Sequence, residues 1–129
     1  MTARSPEPGS VLTERIIRHA IKVHRTLGPG LLESVYQQCL CWELDRDNLK
    51  VEAEVPLRLV YEDMCIDKGY RADIIVNDTV LVELKSVEHI LPVHKAQTLT
   101  YLRLSGCPLA LLMNFNGVLL KDGLHRFIA

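Results

Sequence analysis

The sequence lacks several features that would assign it to a specialised class of protein. No two of its four cysteines form a Cys-x-x-Cys pair, which argues against a zinc site or a disulfide framework and favours buried, reduced thiols. No apolar run approaches the length of a membrane span, and residues 1–10 lack the apolar centre of a signal peptide. We therefore expect a cytoplasmic protein that does not enter a membrane.

The chain also has no excess of charge of either sign. Its formal net charge is −1, so no general basic field attracts it to nucleic acid. Binding to a polyanion would need a local basic patch, or a metal ion that offsets carboxylates at the site. Residues 1–10, rich in Pro and Gly, predict a flexible N-terminal segment. Residues 11–129 predict a single domain, with 48% of the whole chain apolar.

Hydrophobic periodicity predicts both helices and strands. Apolar residues recur at helical spacing over residues 11–27 and 31–47, and again over 92–105. Apolar runs and alternation predict strands, with Pro56 at an edge or a bulge, over 51–61, 64–66, 74–76, 80–82, 108–115, 118–120 and 124–128. The main elements follow the order α-α-β-β-β-α-β-β. This order predicts an α/β fold with a mixed β-sheet flanked by helices.

The stretch from Tyr70 to Lys85 carries the charges that most need an explanation. Residues 77–79, Asn-Asp-Thr, separate two β-branched runs and predict a β-hairpin. Asp73 precedes the first run, and Glu83 and Lys85 close the second on one face of the strand. Two converging carboxylates suit a hard divalent cation such as Mg²⁺. A cross-strand ion-pair cluster on a solvated face explains the same residues equally well.

Hydrolysis of a phosphodiester at neutral pH would give each of these groups a role. Such a reaction needs a metal ion to activate water, and groups that place the nucleophile and offset charge. Asp73 and Glu83 are suitable metal ligands, and the backbone carbonyl of Leu84 offers a third oxygen. Lys85 has the chemistry to orient the attacking water or to stabilise charge on the phosphate.

Three motifs give the chain a resemblance to a known group of enzymes. Asp73 followed by Glu83-Leu84-Lys85 resembles the active-site pattern of the PD-(D/E)XK nuclease superfamily, although Ala72 stands where the motif has proline. Residues 30–36, Gly-Leu-Leu-Glu-Ser-Val-Tyr, match the signature of the GxxExxY protein family. Residues 97–101 match the QxxxY element of RecB-like nucleases. The resemblance extends over about residues 12–128 and implies a PD-(D/E)XK nuclease-like fold.

The resemblance implies roles for residues outside the hairpin. It implies that Glu33 joins Asp73, Glu83 and the Leu84 carbonyl at the metal, directly or through water. Taken alone, Glu33 is explained equally well by its position in the first turn of a helix, where the helix dipole favours a carboxylate.

Further residues support the predicted site. The resemblance implies that Gln97 and Tyr101, which share a helix face, line the cleft and hold substrate or Lys85. A polar contact that ties this helix to the sheet is the alternative explanation. Arg71 shares a face with Asp73 and could pair with it or with a phosphate. His24 and His94 are not included in the predicted metal site.

The sequence therefore predicts a nuclease, or a nuclease-like processing protein, that hydrolyses phosphodiester bonds in DNA with Mg²⁺ or Mn²⁺. The alternative is a non-catalytic protein with a nuclease fold that binds nucleic acid or nucleotide, or assembles with itself. The helix of residues 31–47 is apolar over a wide arc, which predicts a homo-oligomer, most simply a dimer. Trp42 or the edge formed by residues 108–128 would make the contact, unless Trp42 lies in the monomer core.

Overall fold

The computed structural model describes residues 10–67 and 69–129, in which three α-helices and seven strands are present. The predicted N-terminal segment lies outside these ranges, except for Ser10, which is helical. The helices are α1 (Ser10–Leu27), α2 (Glu33–Arg46) and α3 (Pro92–Ser105). The strands are β1 (Val51–Pro56), β2 (Leu59–Tyr61), β3 (Met64–Ile66), β4 (Arg71–Val76), β5 (Val80–Lys85), β6 (Leu109–Asn114) and β7 (Leu124–Ile128). No helix within the described ranges is long and apolar enough to cross a membrane.

Five of the strands form one mixed sheet, in the order β1-β4-β5-β6-β7. β4 runs antiparallel to β1 and β5, whereas β6 runs parallel to β5 and antiparallel to β7. The helix α3 makes the crossover from β5 to β6, as the sequence predicts. The elements of this sheet confirm the predicted α/β fold, a mixed sheet flanked by helices in the order α-α-β-β-β-α-β-β. β2 and β3 form a separate two-stranded sheet.

Two strand boundaries differ from the prediction. The strand predicted over residues 51–61 ends at Pro56, and residues 59–61 pair with β3 instead. The strand predicted over residues 118–120 is absent. Asn116 N–H donates to the side chain of Asn114 (3.2 Å), and the chain passes through a 3₁₀ helix, Leu120–Gly123, before β7 returns along β6.

The two faces of the large sheet are covered by different helices. Apolar side chains of α1 and α2 pack against Ile74, Val82 and other residues of one face. Tyr101 and Leu102 of α3 pack against the opposite face. Glu83, next to Val82, turns toward the α3 face because side chains alternate along a strand, and its charge acts on Tyr101 of α3. Regular alternation fails next to Asp73, since Ala72 packs with the α3-side residues although Ile74 packs on the opposite face.

The cysteines occupy environments of different exposure. All four are free thiols, of which Cys107 is buried and Cys39 and Cys41 are half-buried. Cys65 is exposed, contrary to the predicted burial, because it lies on β3 in the small separate sheet.

Asn114, at the end of β6, holds the segment that follows β5. It is 6% exposed, and its Nδ2 donates to the Val87 carbonyl (2.9 Å) while its Oδ1 accepts from Val87 N–H (3.1 Å). Gly123 lies directly against it, since a Cβ built at position 123 would be 2.9 Å from the Cβ of Asn114. Close packing of Gly123 and Asn114 therefore fixes the backbone just beyond Lys85.

Gly123→Ala is predicted to destabilise the protein by about 1–3 kcal/mol, because the added methyl overpacks against Asn114. Urea denaturation measures the change. Gly117→Ala is the matched control, since a Cβ there would be 3.5 Å from the Leu119 carbonyl, an ordinary contact distance. Equal stabilities of the two variants would contradict this account of the close approach.

Candidate functional site

The sheet opens between β4 and β5 where Asp73 and Glu83 lie. The antiparallel ladder between these strands ends at the pairing of Ile74 with Val82. Beyond it, Asp73 N–H donates to Glu83 Oε1 (3.0 Å), and Leu84 N–H donates to Asp73 Oδ2 (2.8 Å). The two carboxylates, called here the acidic pair, thus take the place of backbone acceptors. Each uses one oxygen in this way and has a second oxygen for another partner.

Burial and mutual repulsion favour protonation of the acidic pair. Glu83 is 3% exposed, and its burial, followed by the charge of Asp73, raises its pKa to about 8. Burial also raises the pKa of Asp73, although the hydrogen bond from Leu84 N–H opposes the rise. Both shifts have the same direction, so burial and mutual repulsion favour a proton on the pair when no cation offsets its charge.

Glu33 and Lys85 act on the acidic pair from two different elements. Glu33 is the first residue of α2, and although it is exposed, its charge contributes to the raised pKa of Asp73. Lys85 ends β5 and is half-buried, and its charge opposes the rise in the pKa of both acidic residues. The structure therefore brings the predicted acidic and basic side chains to the same end of the sheet.

Arg71 lies at the start of β4 and is exposed. Within residues 10–67 and 69–129, it makes no ion pair with Asp73, so one of its two predicted contacts is absent. Asp73 accepts the Leu84 N–H instead. A phosphate remains as its predicted partner.

Gln97 and Tyr101 contact each other on α3. Gln97 Nε2 donates to the Tyr101 hydroxyl (3.0 Å), and Tyr101 is 7% exposed, with its ring edge-to-face against Tyr70. Burial, followed by the charge of Glu83, raises the pKa of Tyr101, which places the phenol beside the acidic pair. Neither residue hydrogen-bonds Lys85 in the part of the chain that the structure describes. The contact between them holds the Tyr101 hydroxyl toward the site.

Glu54 is an acidic neighbour of the pair that sequence reasoning missed. It lies on β1 between the residues that pair with Ile74 and Ala72, hence opposite Asp73, and has a positive φ of 52°. Its charge contributes to the raised pKa of Asp73, and Gln37 Nε2 donates to its Oε1 (3.1 Å). Alternation along β1 was visible in the sequence, but only the strand register shows which residue faces Asp73.

The nearby thiol and the two histidines have no features of metal ligands. Burial, followed by the charges of Asp73 and Glu54, raises the pKa of Cys41 to about 11, so this thiol stays protonated. His24 Nε2 donates to the Gly117 carbonyl (2.8 Å), and His94 Nδ1 accepts from Leu91 N–H (2.9 Å) at the start of α3. These contacts give both histidines a role in holding loops.

The donor atoms at the acidic pair fit a hard divalent cation. Asp73, Glu83, Glu33 and the Leu84 carbonyl all offer oxygen, the donor that Mg²⁺ and Mn²⁺ prefer. The raised pKa of Glu83 also means that its negative charge is poorly compensated by the protein. Among the described residues, no three His, Cys, Asp or Glu side chains form a ready ligand cluster. A cation would therefore need the backbone carbonyl, water or substrate to complete its coordination.

Comparison with known proteins gives one result. A family model for the PD-(D/E)XK nuclease superfamily matches residues 10–127, which includes all the candidate residues. No curated protein and no solved structure matches the chain.

The metal-free protein is predicted to lose stability as the pH rises from about 5 to about 9. The pKa of Glu83 rises on folding from 4.5 to about 8, so between these values the folded state binds more protons than the unfolded state. The contribution of the protonated Glu83 carboxyl to the free energy of unfolding is therefore present at low pH, and it is lost as the pH passes through about 8. Urea denaturation in EDTA across this range measures the slope.

Glu83→Gln is the control for this pH dependence. The variant cannot ionise at position 83, so its stability should vary less with pH than that of the wild type. Added Mg²⁺ should stabilise the wild type more at high pH than at low pH, because the cation competes with the proton. Identical pH profiles for wild type and variant would contradict the proposed electrostatics.

Proposed function

This chain belongs to the PD-(D/E)XK nuclease superfamily, and from that membership we propose that it is a metal-dependent nuclease that hydrolyses phosphodiester bonds in DNA. The observation that carries the proposal is the acidic pair at the open end of β4 and β5, followed at once by Lys85. The signature of residues 30–36 supports its assignment to the GxxExxY group of the superfamily. We place it in the cytoplasm, where its four free thiols would stay reduced.

The acidic pair and the Leu84 carbonyl would hold the cation, with Glu33 in direct or water-mediated contact. When bound, Mg²⁺ or Mn²⁺ would lower the pKa of a water molecule and offset charge on the phosphate. Lys85, on the same face of β5 as Glu83, would orient the attacking water or stabilise the developing negative charge. Its own charge already lowers the pKa of both acidic residues, so it favours their ionised form.

The surroundings of the acidic pair would bind the nucleic acid. Arg71 is exposed and has no carboxylate within ion-pair distance in the described part of the chain, so it is available to a phosphate. The Gln97–Tyr101 contact presents a polar edge beside Glu83 for the sugar or the phosphate. Without a cation, the carboxylates would repel a phosphate, so we expect DNA binding to depend on divalent metal.

A non-catalytic nuclease-fold protein that binds nucleic acid or nucleotide is the second candidate. It is favoured by the absence of a ready cluster of three ligand side chains within the described residues. Such a protein would bind DNA or nucleotide through Arg71 and Lys85 and would leave the phosphodiester intact.

The position of Trp42 supports self-association. Trp42 is 56% exposed, so its alternative placement in the monomer core is wrong. It borders an apolar groove of about 400 Å³ between α1 and α2, to which Val23 and Cys39 contribute. On the rim of this groove, Lys22 Nζ lies 2.8 Å from Glu43 Oε1. Because this ion pair is satisfied within the chain, the exposed apolar surface around Trp42 is what a second copy of the chain would bury.

Lys85→Ala is predicted to lower DNA cleavage at least about 100-fold while leaving metal binding and the fold largely intact, because lysine acts on the reacting groups and is no ligand. Glu83→Ala should lose both cleavage and metal binding. Cleavage of single- and double-stranded DNA and RNA with Mg²⁺ or Mn²⁺, against EDTA, measures activity, and metal-induced thermal shifts measure binding. Lys121→Ala, at an exposed lysine of the 3₁₀ helix, is the control.

The outcomes separate the two candidate functions. Metal-dependent cleavage that survives Lys85→Ala would contradict the role given to Lys85. Binding of DNA without cleavage under any metal condition would favour the non-catalytic candidate. A melting temperature unmoved by millimolar Mg²⁺ or Mn²⁺ would contradict the metal site itself.

The wild-type protein is predicted to form a dimer at micromolar concentration, with about twice the chain mass of 14.6 kDa in light scattering. Trp42→Ala should shift it toward monomer, because the substitution removes the largest apolar side chain bordering the groove. Tyr61→Ala, at an aromatic residue 63% exposed on the small sheet, is the matched control and should remain dimeric. A dimer that survives Trp42→Ala would move the contact to the edge of residues 108–128, and a wild-type monomer would end the proposal.

A further inference from the structure

The turn between α1 and α2 is closed by the side chain of Tyr36. Its hydroxyl donates to the Gly28 carbonyl (2.5 Å) and accepts from Leu31 N–H (3.2 Å). The ring is fully buried and stacks on Phe115, with centroids 4.6 Å apart. Gly30 has a φ of 97°, a conformation that favours glycine, so the chain can turn sharply enough to return to Tyr36. The phenol is thus anchored in the core while its hydroxyl holds the turn.

Ser86 ties this turn to the end of β5. Its hydroxyl donates to the Leu31 carbonyl (2.9 Å), so Leu31 is held through its N–H by Tyr36 and through its C=O by Ser86. Ser86 itself is fixed, because Asn114 binds Val87 on one side of it and Phe115 N–H donates to the Lys85 carbonyl (2.8 Å) on the other.

The turn has few apolar contacts that could replace these hydrogen bonds. The Leu31 side chain is 38% exposed and that of Leu32 is 73% exposed. Leu32 precedes the first residue of α2, Glu33, and no side chain caps this helix start. An exposed segment without apolar anchors keeps its position only through its polar contacts. Glu33 is therefore held from two sides, by the buried ring of Tyr36 within α2 and, through Leu31, by the contacts of the turn.

We propose that Tyr36 and Ser86 are positioning residues that act through Leu31 to hold Glu33 against the acidic pair. In the 30–36 signature, Gly30 would permit the turn and Tyr36 would anchor the turn to the core. Glu33 would be the side chain whose position these two residues fix. The consequence for catalysis rests on the proposed nuclease function, whereas the positioning itself does not.

The first test uses stability in EDTA and needs no activity. Glu33→Gln is made in three backgrounds: wild type, Ser86→Ala, and Ser105→Ala as the control. Ser105 also donates its hydroxyl to a backbone carbonyl, that of Leu102 (3.0 Å), but lies at the far end of α3. Any effect of Glu33 on the dipole of α2 is common to all three backgrounds and cancels in the comparison.

The expected result follows from charge repulsion between Glu33 and the acidic pair. Loss of the Glu33 charge should raise the urea midpoint in the wild-type and Ser105→Ala backgrounds. In the Ser86→Ala background, this rise should be at most about half as large. Ser86→Thr, which keeps a hydroxyl, should restore the wild-type shift. The same shift in all backgrounds would overturn the proposal.

The second test uses DNA cleavage with Mn²⁺. Ser86→Ala removes one hydrogen bond and Tyr36→Phe removes two, and each should lower kcat by about fivefold to tenfold or more, with little change in KM. Neither should lower kcat further in the Glu33→Gln background, and Ser105→Ala should have no effect. If the reductions in kcat caused by Ser86→Ala and by Glu33→Gln multiply in the double variant, the two residues act independently and the proposal is overturned. If the wild type does not cleave, the nuclease function fails, and the urea comparison alone decides the positioning role.

Discussion

The structure depends on two carboxylates that replace a backbone ladder. Where β4 and β5 separate, Asp73 and Glu83 each accept an N–H from the opposite strand. A buried carboxylate is unfavourable unless hydrogen bonds and opposite charge offset its desolvation. Here each carboxylate receives one backbone hydrogen bond, yet the pKa of both remains raised. The fold therefore disfavours two negative charges at this point, so the pair favours binding a proton or a cation.

The rest of the sheet makes this arrangement rigid. β5 lies between β4 and a buried parallel neighbour, β6, so the end of β5 cannot move without disturbing the core. Asn114, buried at the end of β6, holds the backbone beyond Lys85, and Gly123 permits that close packing. The acidic side chains therefore project from strands rather than from a mobile loop. A metal site needs ligands in fixed positions, and strands provide them.

Local sequence pattern predicted most of the helices and strands, but it did not predict which residues face each other across the sheet. The β-hairpin of residues 70–85 and the crossover through α3 follow from strong periodicity and turn residues, and both are present. The sequence missed Glu54 because facing across strands is set by register, which periodicity alone does not give. Residues 118–120 have the composition of a strand, but they lead into the 3₁₀ helix of Leu120–Gly123 instead. Trp42 could not be assigned, since exposed and buried tryptophans look alike in sequence.

The charges around Asp73 connect the fold to the proposed chemistry. Three carboxylates act on Asp73: Glu33 of α2, Glu54 of β1 and Glu83 of β5. The positive charge of Lys85 opposes them and lowers the pKa of Asp73 and Glu83. The chain as a whole is nearly neutral, so this local excess of negative charge is a property of the topology. A phosphate would be repelled from such a site until a divalent cation reverses its sign. On the proposed function, a divalent cation at these carboxylates therefore controls both the binding of nucleic acid and its cleavage.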